Sequence, residues 1–134
     1  MSRMANNERP FESQDPSNPP PMTAPTDKTT VIATYRVSAE RAQEFERLLA
    51  KHHPKLVELG LATSAPATIY RGVEHDGAPI YFEIFEWVDA AAPGRAHEHP
   101  DVMALWEPMG SMTEDRATGK GMNFPHVERM AGPA

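Results

Sequence analysis

The chain has 134 residues, with 13 basic and 19 acidic side chains and a formal net charge of −6. This length is that of one domain, and the acidic balance argues against nucleic acid and anionic membrane surfaces as partners. The chain has no cysteine, which excludes disulfides, thiolate catalysis and cysteine-ligated zinc, and it has no apolar run long enough to cross a bilayer.

The first 28 residues differ in composition from the rest of the chain. They hold six of the fourteen prolines, interspersed with Asn, Ser, Gln, Asp and Thr. Such a segment buries too little apolar surface to offset the entropy of ordering it. We therefore predict a disordered tail over residues 1–28. The alternative is a tail that docks to a protein partner through Phe11 or Met22. Because the N-terminus lacks the apolar core of a secretory signal, a cytoplasmic location is favoured.

A small soluble domain is predicted over residues 29–131. The run TTVIATYRV is rich in β-branched residues and predicts a first strand. Ser38 then offers an N-cap, and apolar residues at steps of three and four predict a helix that ends near Leu59. Pro54 should kink this helix. Gly60 is typical of the position just after a helix.

Two strand-like runs follow, on either side of the residues His75-Asp76-Gly77-Ala78. The pair Asp-Gly is a strong hairpin signal. The second run, residues 80–88, is mainly apolar on both faces, so both faces should be covered. The chain's own two helices can cover one face. A second copy of the chain would cover the other and form a homodimer; the alternative is that loops or the tail fold over it.

The rest of the domain predicts a second helix and a last strand. Asp89 can cap a helical segment, and Pro100 stands where a helix commonly restarts. Pro108 should kink or end that helix, and Pro125 should place the short last strand at an edge or a bulge. The order β-α-β-β-α-β is that of an α+β, ferredoxin-like fold: a four-stranded antiparallel sheet with two helices on one face.

Two segments of the sequence resemble the dimeric α/β-barrel superfamily, which includes the antibiotic-biosynthesis monooxygenases. They are EIFEWVD at 83–89 and AHEHPDVMALWEPM at 96–109, in which His97 and Pro100 match a pattern common in that superfamily. The ending FPHVE at 124–128 is similar to that of an uncharacterised branch. The resemblance implies a dimeric barrel. It does not decide activity, because the superfamily contains cofactor-free oxygenases, heme-degrading enzymes and proteins without known catalysis.

The first strand departs from the heme-degrading members, which use an asparagine there. This chain has Thr34 and Tyr35 instead, so heme cleavage is not expected and no cofactor is predicted. His97 and His99 could share a face and bind a metal only in an extended segment, and no metal is predicted either. His52 and His53 are assigned to the helix surface or to dimer contacts.

His97 and Glu83 are the candidate catalytic residues. A histidine titrates near neutrality and can exchange protons with a ligand; the alternative is that His97 packs or caps locally. Glu83 stands among aromatic residues on one strand face, where a carboxylate is costly unless it is paired. The alternative role for Glu83 is a structural ion pair with Arg36 or Arg71. The candidate ligand-binding residues are aromatic or flexible apolar side chains: Tyr35, Phe85, Trp106 and Met109.

The predicted function is the binding of a small hydrophobic or aromatic molecule by a dimeric α/β-barrel protein. One hypothesis is a cofactor-independent monooxygenase, in which a base deprotonates a phenol and the resulting anion reacts with oxygen. The alternatives are a non-catalytic ligand-binding or dimerisation module and an interaction protein docked through its tail. A pocket reached by His97 and a carboxylate would favour the enzyme, whereas a pocket lined only by Met and Leu would favour the module.

Overall fold

The computed structural model describes residues 27–130. The predicted tail, residues 1–28, lies almost wholly outside these residues, so its disorder stays a prediction. The elements in chain order are β1 (Thr29–Arg36), a 3-10 turn (Ala39–Arg41), α1 (Ala42–Glu58), β2 (Thr68–Val73), β3 (Pro79–Trp87), α2 (Ala92–His97), α3 (Pro100–Ser111), β4 (Met122–Asn123) and β5 (His126–Val127).

The strands form one antiparallel sheet in the order β2-β3-β1, with β4 and β5 both paired to the outer side of β1. The predicted ferredoxin-like α+β fold is confirmed. The predicted last strand is divided in two at Pro125, which has no N–H to donate but whose carbonyl accepts a 3.1 Å hydrogen bond from the Ile32 amide. The sheet therefore has five strands rather than four, and Pro125 lies at its edge as predicted.

The predicted hairpin joins β2 and β3, which pair from Thr68 opposite Ile84 to Val73 opposite Pro79. Asp76 accepts a 3.0 Å hydrogen bond from the Ala78 amide. Gly77 has a φ of 85°, a left-handed conformation that favours glycine. The Asp-Gly signal thus identified the turn correctly.

Side chains of β1 and β3 alternate between a face buried under the helices and a face that the helices leave open. The buried face carries Val31, Ala33, Tyr35, Tyr81, Glu83, Phe85 and Trp87. Helix α1 covers it with Phe45, Leu49, His52 and Leu56, and α3 covers it with Val102, Trp106 and Met109. On the open face, Ile32, Phe82 and Ile84 are half-buried and Tyr70 is 58% exposed.

The helix ends agree with the sequence in part. Gly60, with a φ of 75°, follows α1 as predicted, and Asp89 accepts a 3.0 Å hydrogen bond from the Ala91 amide just before α2. Ser38 occupies the N-cap position of the 3-10 turn before α1, but its hydroxyl makes no capping bond and donates to Glu114 at 3.1 Å instead. Helix α1 continues through Pro54, and α3 continues past Pro108.

Candidate functional site

Glu83 lies at the centre of the sheet, fully buried under the helices. Its Oε1 accepts two hydrogen bonds, one from the Tyr35 hydroxyl at 2.8 Å and one from His52 Nδ1 at 2.8 Å. The alternative of an ion pair with an arginine is therefore wrong. Glu83 lies opposite Ala33 in the β1–β3 register, so strand alternation directs Arg36 to the other face, and Arg71 pairs with Glu46.

The other ring nitrogen of this histidine fixes where its proton is. His52 Nε2 lies 2.8 Å from the indole Nε1 of Trp106. An indole N–H can only donate, so Nε2 accepts and the single ring proton of the neutral imidazole is on Nδ1, from which it is donated to Glu83. The four side chains form a continuous chain of hydrogen bonds, Tyr35–Glu83–His52–Trp106, which we call the buried relay.

The prediction that His52 lies at the helix surface or in a dimer contact is wrong, since the residue is fully buried. The sequence held a signal for this. His52 lies three residues after Leu49 and four before Leu56, on the apolar face of α1 that packs on the sheet. A histidine in that position needs partners for both ring nitrogens, and Glu83 and Trp106 supply them.

Burial also affects the tyrosine at the other end of the relay. Removal from water, followed by the charge of Glu83 and the hydrogen bond to it, raises the pKa of Tyr35 well above its usual value. Tyr35 is therefore a neutral hydrogen-bond donor at physiological pH. Its hydroxyl holds the carboxylate in place beside His52.

Trp106 ends the relay and is its outermost member, at 7% exposure where the other three are fully buried. Its indole contacts two other rings at the outer end of the relay. His97 contacts it edge-on with the ring centroids 4.8 Å apart, and Phe124, between β4 and β5, stacks on it at 5.9 Å with an interplanar angle of 23°. We call the position of the Trp106 indole, in contact with His97 and Phe124 and next to the Nε2 acceptor of His52, the slot.

His97 is exposed to solvent, although partial removal from water lowers its pKa. It reaches Glu83 only through Trp106 and His52. The adjacent His99 accepts a 3.1 Å hydrogen bond from the Asp101 amide and caps α3. Within residues 27–130, no three His, Asp or Glu side chains converge as a metal site would require.

The remaining predicted ligand-binding residues lie in the core beside the relay. Phe85 contacts the rings of His52, at 5.7 Å, and of Trp87, at 5.0 Å, and Met109 is fully buried on α3. The structure therefore brings Glu83, Tyr35, Phe85 and Trp106 together around His52, a residue that the sequence analysis left out of the site.

Three buried polar atoms near Phe85 have no hydrogen-bond partner among the described residues: Glu83 Oε2, His53 Nε2 and Trp87 Nε1. The His53 and Phe85 rings are 5.8 Å apart. Buried polar atoms are normally paired. The carboxylate of Glu83 therefore has capacity for a further hydrogen bond that the described residues do not use.

A separate surface groove of about 280 Å³ lies between α1 and β2 and is lined by Glu46, Leu49, Ala50, Ile69, Arg71 and Tyr81. The Tyr81 hydroxyl donates to Glu46 at 2.6 Å. Burial and the bond to Glu46 raise the pKa of Tyr81 to about 12. This groove does not contain the predicted catalytic residues. The space between β3 and α3 is filled by the buried relay and its aromatic neighbours.

Several solved structures share this fold. SnoaB, a cofactor-independent oxygenase from Streptomyces nogalater, is 20% identical, with 81% of this chain and 99% of that chain covered and a TM-score of 0.55. A conserved protein from Methanosarcina mazei Go1 is 14% identical, with 78% and 95% covered and a TM-score of 0.57. PA3566 from Pseudomonas aeruginosa is 21% identical, with 81% and 99% covered and a TM-score of 0.53.

At these identities the comparisons establish the fold alone. They confirm the resemblance to the ferredoxin-like fold of the antibiotic-biosynthesis-monooxygenase type. The sequence matches no protein-family model and no curated protein. In the part of the chain that the structure describes, no helix is both long and apolar enough to span a membrane.

Proposed function

We propose that this protein binds a small planar aromatic molecule between the sheet and α3, beside the buried relay. The observation that carries the proposal is a buried carboxylate–imidazole pair, Glu83 and His52, hydrogen-bonded to an indole that contacts two further rings. An aromatic ligand that took the place of the Trp106 indole would contact the rings of His97 and Phe124 and would meet the Nε2 acceptor of His52. Ligand sites commonly combine an apolar lining with a few such polar groups.

The chemical cost of the relay supports a functional role. A buried carboxylate bonded only by a hydroxyl and a neutral imidazole gives up its hydration without gaining a cation. Apolar side chains of similar size would fill the same volume at lower cost. A buried acid–base pair with specific partners is a candidate for a functional site. We assign acid–base roles to Glu83 and His97 and a lining role to Tyr35, Phe85, Trp106 and Met109.

The activity that best fits such a site is cofactor-independent monooxygenation. A base removes the hydroxyl proton of a phenol, and the electron-rich anion reacts with dioxygen. One oxygen atom enters the ring and the other leaves as water, so that a naphthol is converted to a naphthoquinone and supplies all the electrons itself. Among the structures of this fold, SnoaB is described as a cofactor-independent oxygenase. A shared fold does not establish a shared activity, so oxygenation by this chain is tested directly.

We also propose that two copies pack through the open sheet face to make a homodimer. Ile32, Phe82 and Ile84 share this face and are half-buried, and Tyr70 beside them is exposed. Apolar area removed from water stabilises an assembly by roughly 25 cal/mol per Å². A twofold axis lets the same face serve both partners.

The test is binding and turnover of 1-naphthol by the full chain. We expect saturable quenching of tryptophan fluorescence, a raised melting temperature, and oxygen consumption with a product heavier than naphthol by the mass of one oxygen less two hydrogens. Trp106→Leu, which removes the slot's central ring, should change the fluorescence response far more than Leu105→Ala on the neighbouring helix position. No binding of 1-naphthol at millimolar concentration would contradict the proposal. Binding without oxygen consumption would identify a non-catalytic ligand-binding module.

A further inference from the structure

The direction of the hydrogen bonds in the relay assigns a role to His52 that goes beyond the proposed function and rests on it. We propose that His52 Nε2 is the general base of the site and that Trp106 covers it until a ligand hydroxyl takes the place of the indole N–H. Trp106 would then be a displaceable cover rather than a fixed wall. The base would be His52 on α1, and this assignment replaces the acid–base role that the proposed function gives to the exposed His97.

The first support is the arrangement around the imidazole. Glu83 accepts the Nδ1 proton at 2.8 Å, so the only lone pair on the ring is at Nε2, and it points to Trp106. A proton taken up at Nε2 would create an imidazolium beside the Glu83 carboxylate, which stabilises it. Tyr35 holds the same carboxylate oxygen at 2.8 Å and keeps it oriented. This is the arrangement in which a carboxylate positions a histidine base.

The second support is the position of Trp106. It is the only relay member with measurable exposure, at 7%, and its indole contacts the rings of both His97 and Phe124. A planar ligand of similar width would make the same edge-on and stacked contacts. If that ligand carries an acidic hydroxyl, it would also replace the one hydrogen bond that the indole gives to His52.

The proton transfer balances without any other reagent. The ligand O–H bond breaks, an N–H bond forms at His52 Nε2, and the electron pair remains on the ligand oxygen. The neutral pair of ligand and imidazole becomes an anion and a cation. His97 is less suited to this step, because it has no carboxylate partner among the described residues and because partial removal from water lowers its pKa. His97 remains a ring that contacts whatever occupies the slot.

The experiment compares 1-naphthol with 1-methoxynaphthalene, which has the same rings but no hydroxyl proton. Binding to the wild-type chain is measured by calorimetry. We expect the naphthol to bind at least about tenfold more tightly than the ether, because it alone can donate to His52. Equal affinities would overturn the inference while leaving the proposed binding function intact. Failure of both compounds to bind would instead overturn the proposed function.

Two variants separate the base from its cover. His52→Gln can still donate to Glu83 and accept from Trp106, so it should fold, but its amide cannot accept a proton. The absorption of bound 1-naphtholate, at longer wavelength than that of tryptophan, should show an ionised fraction about tenfold higher than in free solution for the wild-type chain. It should show no such gain for His52→Gln. Unchanged ionisation in His52→Gln would overturn the assignment of the base.

Trp106→Phe keeps a ring but removes the indole donor. If Trp106 is the cover, this variant should bind 1-naphthol more tightly than the wild-type chain, with the affinity for the ether changed much less. If Trp106→Phe weakens the binding of both compounds equally, Trp106 is a fixed part of the binding surface, and the proposal that it is a displaceable cover is wrong. Without ligand, imidazole ¹⁵N NMR should show Nδ1 protonated and Nε2 accepting in the wild-type chain. The Nε2 signal alone should move strongly in Trp106→Phe; an Nε2-protonated ring would contradict the relay.

Discussion

The Arg116 guanidinium donates a 3.0 Å hydrogen bond to the Glu74 carboxylate and so joins the loop after α3 to the end of β2. The same guanidinium donates to the carbonyls of Pro79, at 3.0 Å, and Val37, at 2.8 Å. One side chain thus connects the loop to the start of β3 and the end of β1. Arg36 adds a second ion pair to Glu74 at 3.5 Å.

This cluster makes the folding stability depend on pH in the acidic range. Hydrogen bonds from Thr118 and Arg116 hold the pKa of Glu74 below its usual 4.5. A depressed pKa contributes stability that is present above 4.5 and is lost as the pH falls through the folded-state value. Urea unfolding between pH 6 and pH 3 should therefore show a smaller loss for Glu74→Gln than for the wild-type chain. Glu58→Gln, at the exposed end of α1, is the control, and an equal acid loss in Glu74→Gln would refute the assignment.

A side chain at Gly119 is predicted to destabilise the fold. A Cβ there would come within 2.8 Å of the Arg36 guanidinium carbon, and Arg36 is held by Thr118 Oγ1 at 3.1 Å and the Lys120 carbonyl at 3.0 Å. Gly119→Ala should cost about 1–3 kcal/mol of unfolding free energy. Gly94→Ala, where a Cβ meets nothing within 4 Å inside α2, should instead stabilise by about 0.5–1 kcal/mol. Chemical denaturation of both variants checks the contrast.

Tyr35→Phe tests the energetic weight of the relay without changing its shape. It removes one of the two donors to the buried Glu83 carboxylate, so we expect a loss of about 1.5–3 kcal/mol in urea unfolding. Tyr81→Phe is the matched comparison. Its hydroxyl also bonds a carboxylate, but Glu46 keeps a second donor in Arg71 and lies nearer the surface, so the expected loss is at most about 1 kcal/mol. Equal losses of unfolding free energy in the two variants would show that the hydrogen bond in the relay stabilises the fold no more than the one nearer the surface.

A substitution that places a charged side chain on the open sheet face tests the proposed dimer. Ile84 lies opposite Ile32 there, and Ile84→Asp would place a carboxylate in the centre of the interface. Sedimentation at micromolar concentration should give twice the chain mass of 14.8 kDa for the wild-type chain and a single chain mass for Ile84→Asp. Ile69→Asp, at a 45% exposed position on the other sheet face, should remain a dimer. A wild-type monomer would rule out the interface.

Local patterns in the sequence were sufficient for the architecture. The Asp76-Gly77 turn, the glycine after α1 and the alternation along β3 each depend on residues close together in the chain, where backbone geometry decides the outcome. The same patterns placed Glu83 on the face with Tyr81 and Phe85, and that face is buried. Which residues of β3 share a face was therefore predictable.

The partners of those residues were not predictable. Ser38 bonds Glu114, 76 positions away, in place of its own helix. Glu83 bonds a tyrosine 48 positions away and a histidine 31 positions away. The Glu83–His52 pair depends on how α1 packs over the sheet, and the Glu83–Tyr35 pair depends on the register of β1 against β3; one sequence specifies neither. His52 shows the limit most clearly. Its position on the apolar face of α1 was predictable, but its role in the site depended on the contact with Glu83, which was not.

The two edges of the sheet differ in how they can be extended. On one side, Pro125 interrupts the run between β4 and β5, so an incoming strand finds no continuous ladder there. On the other side, β2 is an uninterrupted six-residue edge with Ile69, Tyr70 and Val73 exposed. Two molecules that join edge to edge through β2 use up both competent edges. Among the described strands, addition through β2 would therefore end at a pair and would not extend into a filament.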